Sequence, residues 1–168
     1  MTISYNQLSP QARVWVYMAN RTLDHAETTQ IQQLLDQFVA QWTVHGEPIA
    51  GYAQVCHRAF IVLMTDAPLS GCSIDSSVRV LKTIEQQCGL RLFDRLNIAY
   101  RLADDETLYI GSTEQLRQHL TQGILPDAVK VFDNLVASKA EWESNWEIPL
   151  LRSRFACLLP NTSSATVL

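Results

Sequence analysis

Residues 59–65 form the longest nearly apolar run in the chain, and this run constrains the fold most. Seven residues are far too few to cross a bilayer, because a membrane helix needs about 20 apolar residues. The run predicts a strand. A loop containing Pro68 and Gly71 follows and leads into an amphipathic helix, so a strand, a loop and a helix start are predicted in direct succession.

Two helices are predicted from apolar residues that recur at a spacing of three and four. The first covers residues 23–45 and ends before Gly46 and Pro48. Its apolar stripe consists of Ile31, Leu34, Leu35, Phe38, Val39 and Trp42. The second covers residues 74–88 and ends at Gly89. Its predicted apolar face consists of Ile74, Val78, Leu81, Ile84 and Cys88.

The order of the elements predicts the fold class. Strands are predicted at residues 13–19, 49–56, 59–65 and 96–101, with His57-Arg58 as the turn between the second and third. With the two helices, the order is βαββαβ. This order is typical of a ferredoxin-like α+β core, in which two helices cover one face of a four-stranded antiparallel sheet. The other face is then open to the C-terminal segment or to a second copy.

A C-terminal β/α extension is predicted after this core. It comprises strands at 107–110 and 129–132, a helix at 112–122 that opens with a capping box, and a helix from Ser138 that carries Trp142 and Trp146. We expect a single domain over residues 1–160, with its core at 11–102 and the extension at 103–159. Residues 161–168 are expected to form a flexible tail.

Charge and cysteine spacing exclude several classes of protein. The net charge is −4 and no Lys/Arg-rich run occurs, so nucleic-acid binding is not predicted. The four cysteines form no CxxC pair, and no histidine pair has metal-ligand spacing, so neither a metal site nor a disulfide framework is predicted. The N-terminus has no signal-peptide pattern, and no cofactor motif is found. We therefore expect a cytoplasmic protein with reduced thiols and no membrane contact.

Cys72 is the principal candidate for chemistry. It lies at the start of the second helix, where free backbone N–H groups and the helix dipole favour negative charge and can lower the pKa of a thiol. Gly71, Cys72 and Ser73 therefore form a candidate anion site. A catalytic thiol would need a base. His45, expected in the last turn of the first helix, is the best partner, with Asp66 or Asp75 to orient it.

The same segment also has a purely structural interpretation. Ser73 and Asp75 are both favourable N-cap residues, and Asp75 would raise the pKa of a nearby thiol. A positive φ is plausible for Gly71 after the Pro-containing loop. A capped helix start without chemistry is therefore the preferred interpretation, and a Cys72-dependent hydrolase or transferase is the alternative.

Two phosphate-binding motifs were tested and excluded. Gly46 and Gly51 have Walker A spacing, but Tyr52 and Ala53 follow where the motif requires Lys and Ser/Thr. Cys72 and Arg79 are separated by six residues, one more than a phosphatase loop has. Arg79 would also lie on the second helical turn, away from a cradle at the helix start.

Six segments resemble a family of short bacterial proteins of unknown function whose members are sometimes labelled "ABC transporter ATPase". They are Ala12-Arg-Val-Trp-Val-Tyr17, Gln41-Trp-Thr-Val-His-Gly46, Ser70-Gly-Cys-Ser-Ile-Asp-Ser-Ser-Val78, Asp94-Arg-Leu-Asn-Ile-Ala-Tyr100, Phe132-Asp-Asn-Leu-Val136 and Asn145-Trp-Glu-Ile-Pro149. The resemblance covers about residues 5–158 and implies one cytoplasmic domain. It carries over no catalytic residue, because the family has none established.

The missing motifs and the predicted fold favour a non-enzymatic domain that binds a small ligand or a protein partner. A homodimer formed through the open sheet face is one expected assembly.

Overall fold

Apolar residues with strand-like spacing in some segments and helix-like spacing in others produce a mixed α+β structure with antiparallel sheets. The computed structural model describes residues 2–102, 105 and 107–159. The strands are β1 (Arg13–Met18), β2 (Thr43–Val44), β3 (Glu47–Pro48), β4 (Gly51–Cys56), β5 (Phe60–Thr65), β6 (Asn97–Leu102), β7 (Tyr109–Ser112), β8 (Val129–Phe132) and β9 (Glu147–Pro149). The α-helices are α1 (His25–Gln41), α2 (Gly71–Cys88), α3 (Thr113–Thr121) and α4 (Lys139–Asn145).

The chain divides into two compact units. The first unit holds the residues up to Asp94 together with Asn134–Trp146, and the second holds Arg95–Asp133 and the residues from Glu147 onward. The predicted boundary between core and extension lies near residue 102, whereas the structure passes from the first unit to the second at residues 94 and 95. The expected tail at 161–168 lies outside the described residues.

The first unit is built on a three-stranded sheet with the order β1-β5-β4. The apolar run forms β5, the central strand, which pairs antiparallel with both neighbours. Leu63 lies opposite Trp15 on one side and Ala53 on the other. All six residues of β5 are buried, which is why this strand lacks an apolar–polar alternation.

Helices α1 and α2 pack on one face of this sheet. The buried core there comprises Ala19, Leu23, Ile31, Leu35, Val39, Ala53, Ile61, Leu63, Leu81, Ile84, Leu90 and Leu92. The predicted stripe of α1 is confirmed, but the helix ends earlier than predicted. Residues 43–44 pair with 47–48 in a small hairpin whose turn is His45-Gly46, so His45 lies outside the helix.

The opposite face of the sheet is buried by the chain itself. Phe60, Val62 and Met64 alternate with the helix-facing residues, and each is at most 1% exposed. Trp146 packs edge-on against Phe60 with ring centroids 5.0 Å apart, and it stacks on Trp142 at 3.7 Å. Trp146, in the same unit, therefore covers part of the face that was expected to be open.

The predicted four-stranded ferredoxin-like sheet is not confirmed. The expected fourth strand, β6, belongs to the second unit, where the sheet order is β7-β6-β8-β9. Both neighbours of β6, β7 and β8, are strands of the extension. The extension therefore forms one sheet with β6 and does not pack onto a sheet that β6 completes. Residues 137–139 occupy part of the outer edge of β1 instead, where Val14 N–H donates to Ala137 O at 3.0 Å.

The second unit has its own apolar core. It consists of Ile98, Tyr100, Leu116, Leu120, Val129, Val131, Ile148, Leu150 and Phe155. Leu116 and Leu120 bring α3 onto the sheet, one helical turn apart. Among the described residues, no helix has the length and apolar character needed to cross a membrane.

Candidate functional site

Helix α2 begins one residue before Cys72, and its cap differs from the predicted one. The N-cap is Ser70, not Ser73 or Asp75. Gly71 is the first helical residue and does not have the positive φ that was expected, and a Cβ atom built on it would meet no atom within 4 Å. The turn therefore does not require glycine at this position.

Ser73 is a buried structural residue. Its hydroxyl accepts a hydrogen bond from Ser70 N–H at 2.9 Å and donates one to Ser70 O at 2.8 Å. Its carbonyl oxygen accepts a hydrogen bond from Trp42 Nε1–H at 3.0 Å. Because the side chain is only 1% exposed, it is turned into the fold and does not face an anion in solvent.

The three candidate catalytic residues are not joined by hydrogen bonds. Cys72, Asp75 and His45 are all exposed, and His45 lies in the β2–β3 turn with a φ of 52°. Within the described part of the chain, the thiol of Cys72 makes no hydrogen bond to an imidazole or a carboxylate. Asp66, the other candidate to orient a base, instead accepts hydrogen bonds from the backbone N–H and the hydroxyl of Ser9. Catalysis by Cys72 and anion binding at Gly71–Ser73 stay predictions.

A groove between α1 and α2, which the sequence analysis missed, is a candidate binding site. It has a volume of about 380 Å³. Its apolar lining consists of Leu34, Phe38, Trp42 and Val80. The ring of Phe38 is half-buried and packs on the buried ring of Trp42, with the centroids 4.9 Å apart at an interplanar angle of 41°. We call this site the α1–α2 groove.

The polar lining of the α1–α2 groove carries a single charge. It consists of Gln37, Gln41, Thr43, Ser76, Arg79 and Thr83. Arg79 is exposed, and its guanidinium forms no hydrogen bond or ion pair with any described residue. Asp75, four residues before it on α2, is not within ion-pair distance. The hydroxyls of Ser76 and Thr83 already donate to Cys72 O and Arg79 O. The groove therefore offers a guanidinium that no described residue binds, beside the half-buried ring of Phe38.

The sequence contained a signal for this groove. Ile31, Leu35 and Val39 alone are the buried residues of α1, whereas Leu34 and Phe38 are only half-buried. The apolar stripe is therefore wider than the part that the sheet covers. On α2 the buried face runs through Ser73, Ser77, Leu81 and Ile84, while Ile74 of the predicted face is 39% exposed.

A second cluster of polar aromatic groups lies in the second unit. Tyr100 and Tyr109 stack with ring centroids 5.4 Å apart, and the hydroxyl of Tyr100 lies 3.0 Å from His119 Nδ1. Burial raises the pKa of Tyr100, and the hydrogen bond that Tyr109 donates to Asp105 raises the pKa of Tyr109. Both phenols are therefore protonated at neutral pH, and Tyr109 donates its hydroxyl proton to Asp105.

No group of three or more His, Cys, Asp or Glu residues in the described ranges is placed to hold a metal ion.

Comparison of the chain with family models, with curated proteins and with solved structures finds no match. The comparisons therefore assign no role to any residue.

Proposed function

We propose that this protein is a non-enzymatic, cytoplasmic binding protein that holds a small organic ligand in the α1–α2 groove. The observation that carries the proposal is the groove itself: the half-buried side chains of Phe38, Leu34 and Val80 lie beside polar side chains that have no charged partner. Ligand pockets usually have volumes of about 300–1,000 Å³ and combine apolar walls with a few polar groups. At about 380 Å³, the groove is in this range.

The composition of the lining favours binding over catalysis. The groove is lined by amides, hydroxyls, apolar groups and one guanidinium. No imidazole, carboxylate or thiol is among its lining residues, so the groups that usually act as general base or activated nucleophile are missing from its walls. A hydroxyl such as that of Ser76 is a weak nucleophile without such a base. The thiol-dependent alternative has no comparable support, because no described base is hydrogen-bonded to Cys72.

The architecture around the groove supports a further proposal on the fold. Strand β5 lies between β1 and β4, as in the split βαβ unit of a ferredoxin-like fold. We interpret the first unit as an arrangement of this type in which residues 137–139 stand in part for the fourth strand. A homodimer stays a separate proposal, and light scattering at micromolar concentration is its test.

The binding proposal is tested by titrating the isotope-labelled protein with a panel of naphthalene- and indole-based fragments and recording amide chemical shifts. We expect the shifts to concentrate at the groove. The variant Thr83→Phe places a bulky ring in the lining and should abolish them. The matched variant Gln86→Phe adds the same ring at an exposed position of α2 outside the groove and should bind as the unmodified protein does.

Two outcomes would contradict the proposal. One is the absence of groove shifts with every fragment in the unmodified protein. The other is unchanged binding by a folded Thr83→Phe variant, since the fragments would then occupy a different surface. A circular dichroism spectrum of each variant establishes that it is folded.

A further inference from the structure

The charge in the α1–α2 groove specifies the chemistry of its ligand. Arg79 is the only charged residue in the lining, and no carboxylate lines the groove. A guanidinium stays protonated at all physiological pH values and carries five N–H donors in a planar fork that matches a carboxylate. In this groove none of those donors is used by a described residue. An anionic ligand would supply the missing acceptor.

The apolar lining specifies the remainder of the ligand. Phe38, Leu34 and Val80 are half-buried and form the accessible apolar part of the lining, and the buried ring of Trp42 contacts that of Phe38. Aromatic rings pair favourably with other rings in offset or edge-to-face contact. The hydroxyls of Ser76 and Thr83 already donate to backbone carbonyls, and the amides of Gln37 and Gln41 are neutral, so these groups place no further requirement on charge.

We infer that the α1–α2 groove binds small amphipathic carboxylates, with the carboxylate on Arg79 and an aromatic or similarly flat apolar group against Phe38, Leu34 and Val80. This inference rests on the proposed function and narrows it to one ligand class. Because a charge-assisted, bidentate Arg–carboxylate contact is stronger than a neutral hydrogen bond, the charge should decide the affinity and the rings should decide the position.

The test compares two probes of nearly equal shape, naphthalene-2-carboxylate and naphthalene-2-carboxamide, by the same amide-shift titration. In the unmodified protein we expect the carboxylate to bind about tenfold more tightly than the amide. Arg79→Gln removes the charge and should equalise the two affinities. Lys82→Gln removes one positive charge from an exposed position of the same helix, outside the groove, and should preserve the preference.

Each other outcome has a definite consequence. Equal affinities of the two probes at the groove of the unmodified protein would overturn the inference but support the proposed function. A preference that survives in Arg79→Gln, or that is lost equally in Lys82→Gln, would overturn the role of Arg79. Absence of groove shifts with both probes would overturn the inference, and the wider fragment panel then decides the proposed function separately.

Discussion

The two long helices of the first unit begin in different ways. Helix α1 has a charged start: Asp24 accepts a hydrogen bond from Glu27 N–H at 2.8 Å, and Glu27 accepts one from Asp24 N–H at 2.9 Å and is held by Arg21 at 2.6 Å. Helix α2 has a neutral start, in which Ser70 and Ser73 are hydrogen-bonded to each other. One start is exposed and ionic, and the other is partly buried and made of hydroxyls.

This difference shows what each start contributes. The carboxylates at the start of α1 interact favourably with the positive end of its helix dipole, so the side chains of this helix start supply the negative charge that the dipole favours. The start of α2 is instead anchored to the end of α1 through Trp42, whose indole donates to Ser73 O. Because Trp42 also lines the α1–α2 groove, the serine cap of α2 is part of the framework that holds the groove together.

The largest expected effect is that of removing this anchor. Trp42 is only 2% exposed, so Trp42→Ala should lower the free energy of unfolding by about 3–5 kcal/mol, because it leaves a cavity and removes the hydrogen bond to Ser73 O. Trp42→Phe retains much of the apolar volume and should cost about 1–3 kcal/mol. Urea denaturation followed by circular dichroism measures both. A loss below about 1 kcal/mol for Trp42→Ala would contradict the role of the ring in joining the two helices.

The neutral cap itself should have a smaller effect. Ser73→Ala removes a buried hydroxyl that both accepts from and donates to Ser70, and it should cost about 0.5–2 kcal/mol. Ser76→Ala, one turn on, removes only a hydrogen bond to Cys72 O and should change stability by less than about 0.5 kcal/mol. Equal effects of the two variants in thermal melts would show that the cap of α2 contributes nothing specific.

The stability that the charged start of α1 contributes should depend on pH. Glu27 accepts hydrogen bonds from Arg21 and from the backbone N–H of Asp24. These hydrogen bonds lower the pKa of Glu27 from 4.5 to about 2. The folded state therefore gains stability above about pH 4.5, and this gain is lost as the pH falls through about 2. Glu27→Gln should cost about 0.2–1 kcal/mol at pH 7, since the pair is partly exposed.

Denaturation of the Glu27→Gln variant at a series of pH values checks this prediction. The difference from the unmodified protein should close between about pH 4.5 and 2. The cost of Ser73→Ala should stay constant over the same range, because neither serine titrates there. A constant cost of Glu27→Gln at every pH would contradict the ionic origin of the α1 start.

The smallest expected effect is that of Cys72→Ser. The thiol is exposed and has no described hydrogen-bond partner, so the stability should change by less than about 0.5 kcal/mol. Alkylation at pH 6.5, read by mass spectrometry, tests its reactivity against Cys157, which is also exposed. Equal rates are expected. Burial raises the pKa of Cys56 to about 11, so that thiol should react most slowly.

A rate for Cys72 about tenfold above that of Cys157 would support the thiol-dependent alternative, because the thiolate is the reactive form. Loss of the protein's cellular function in Cys72→Ser, with an unchanged melting temperature, would also support the thiol-dependent alternative.

Much of the local structure follows from the sequence. The apolar run at 59–65 forms the central strand, the spacing from Ile31 to Trp42 forms a helical stripe, and His57-Arg58 forms the predicted turn, with φ values of 49° and 53°. These features depend on residues close together in the chain, which is why the pattern indicates them. The predicted end of α1 was wrong because residues 43–44 pair with 47–48. The predicted N-cap of α2 was wrong because three favourable N-cap residues, Ser70, Ser73 and Asp75, lie within six positions.

Other features depend on which distant segments meet. Strand β6 was predicted as a strand, but its period-two pattern is satisfied by any neighbouring strand, and only the tertiary structure pairs it with β7 and β8. The α1–α2 groove likewise needs both helices: Phe38 is an ordinary apolar residue and Arg79 an ordinary exposed one until they line the same space. The sequence by itself determined the elements and their apolar faces, because these arise from backbone geometry and side-chain spacing. The tertiary structure decided sheet membership and the groove, because these arise from the packing of residues far apart in the chain.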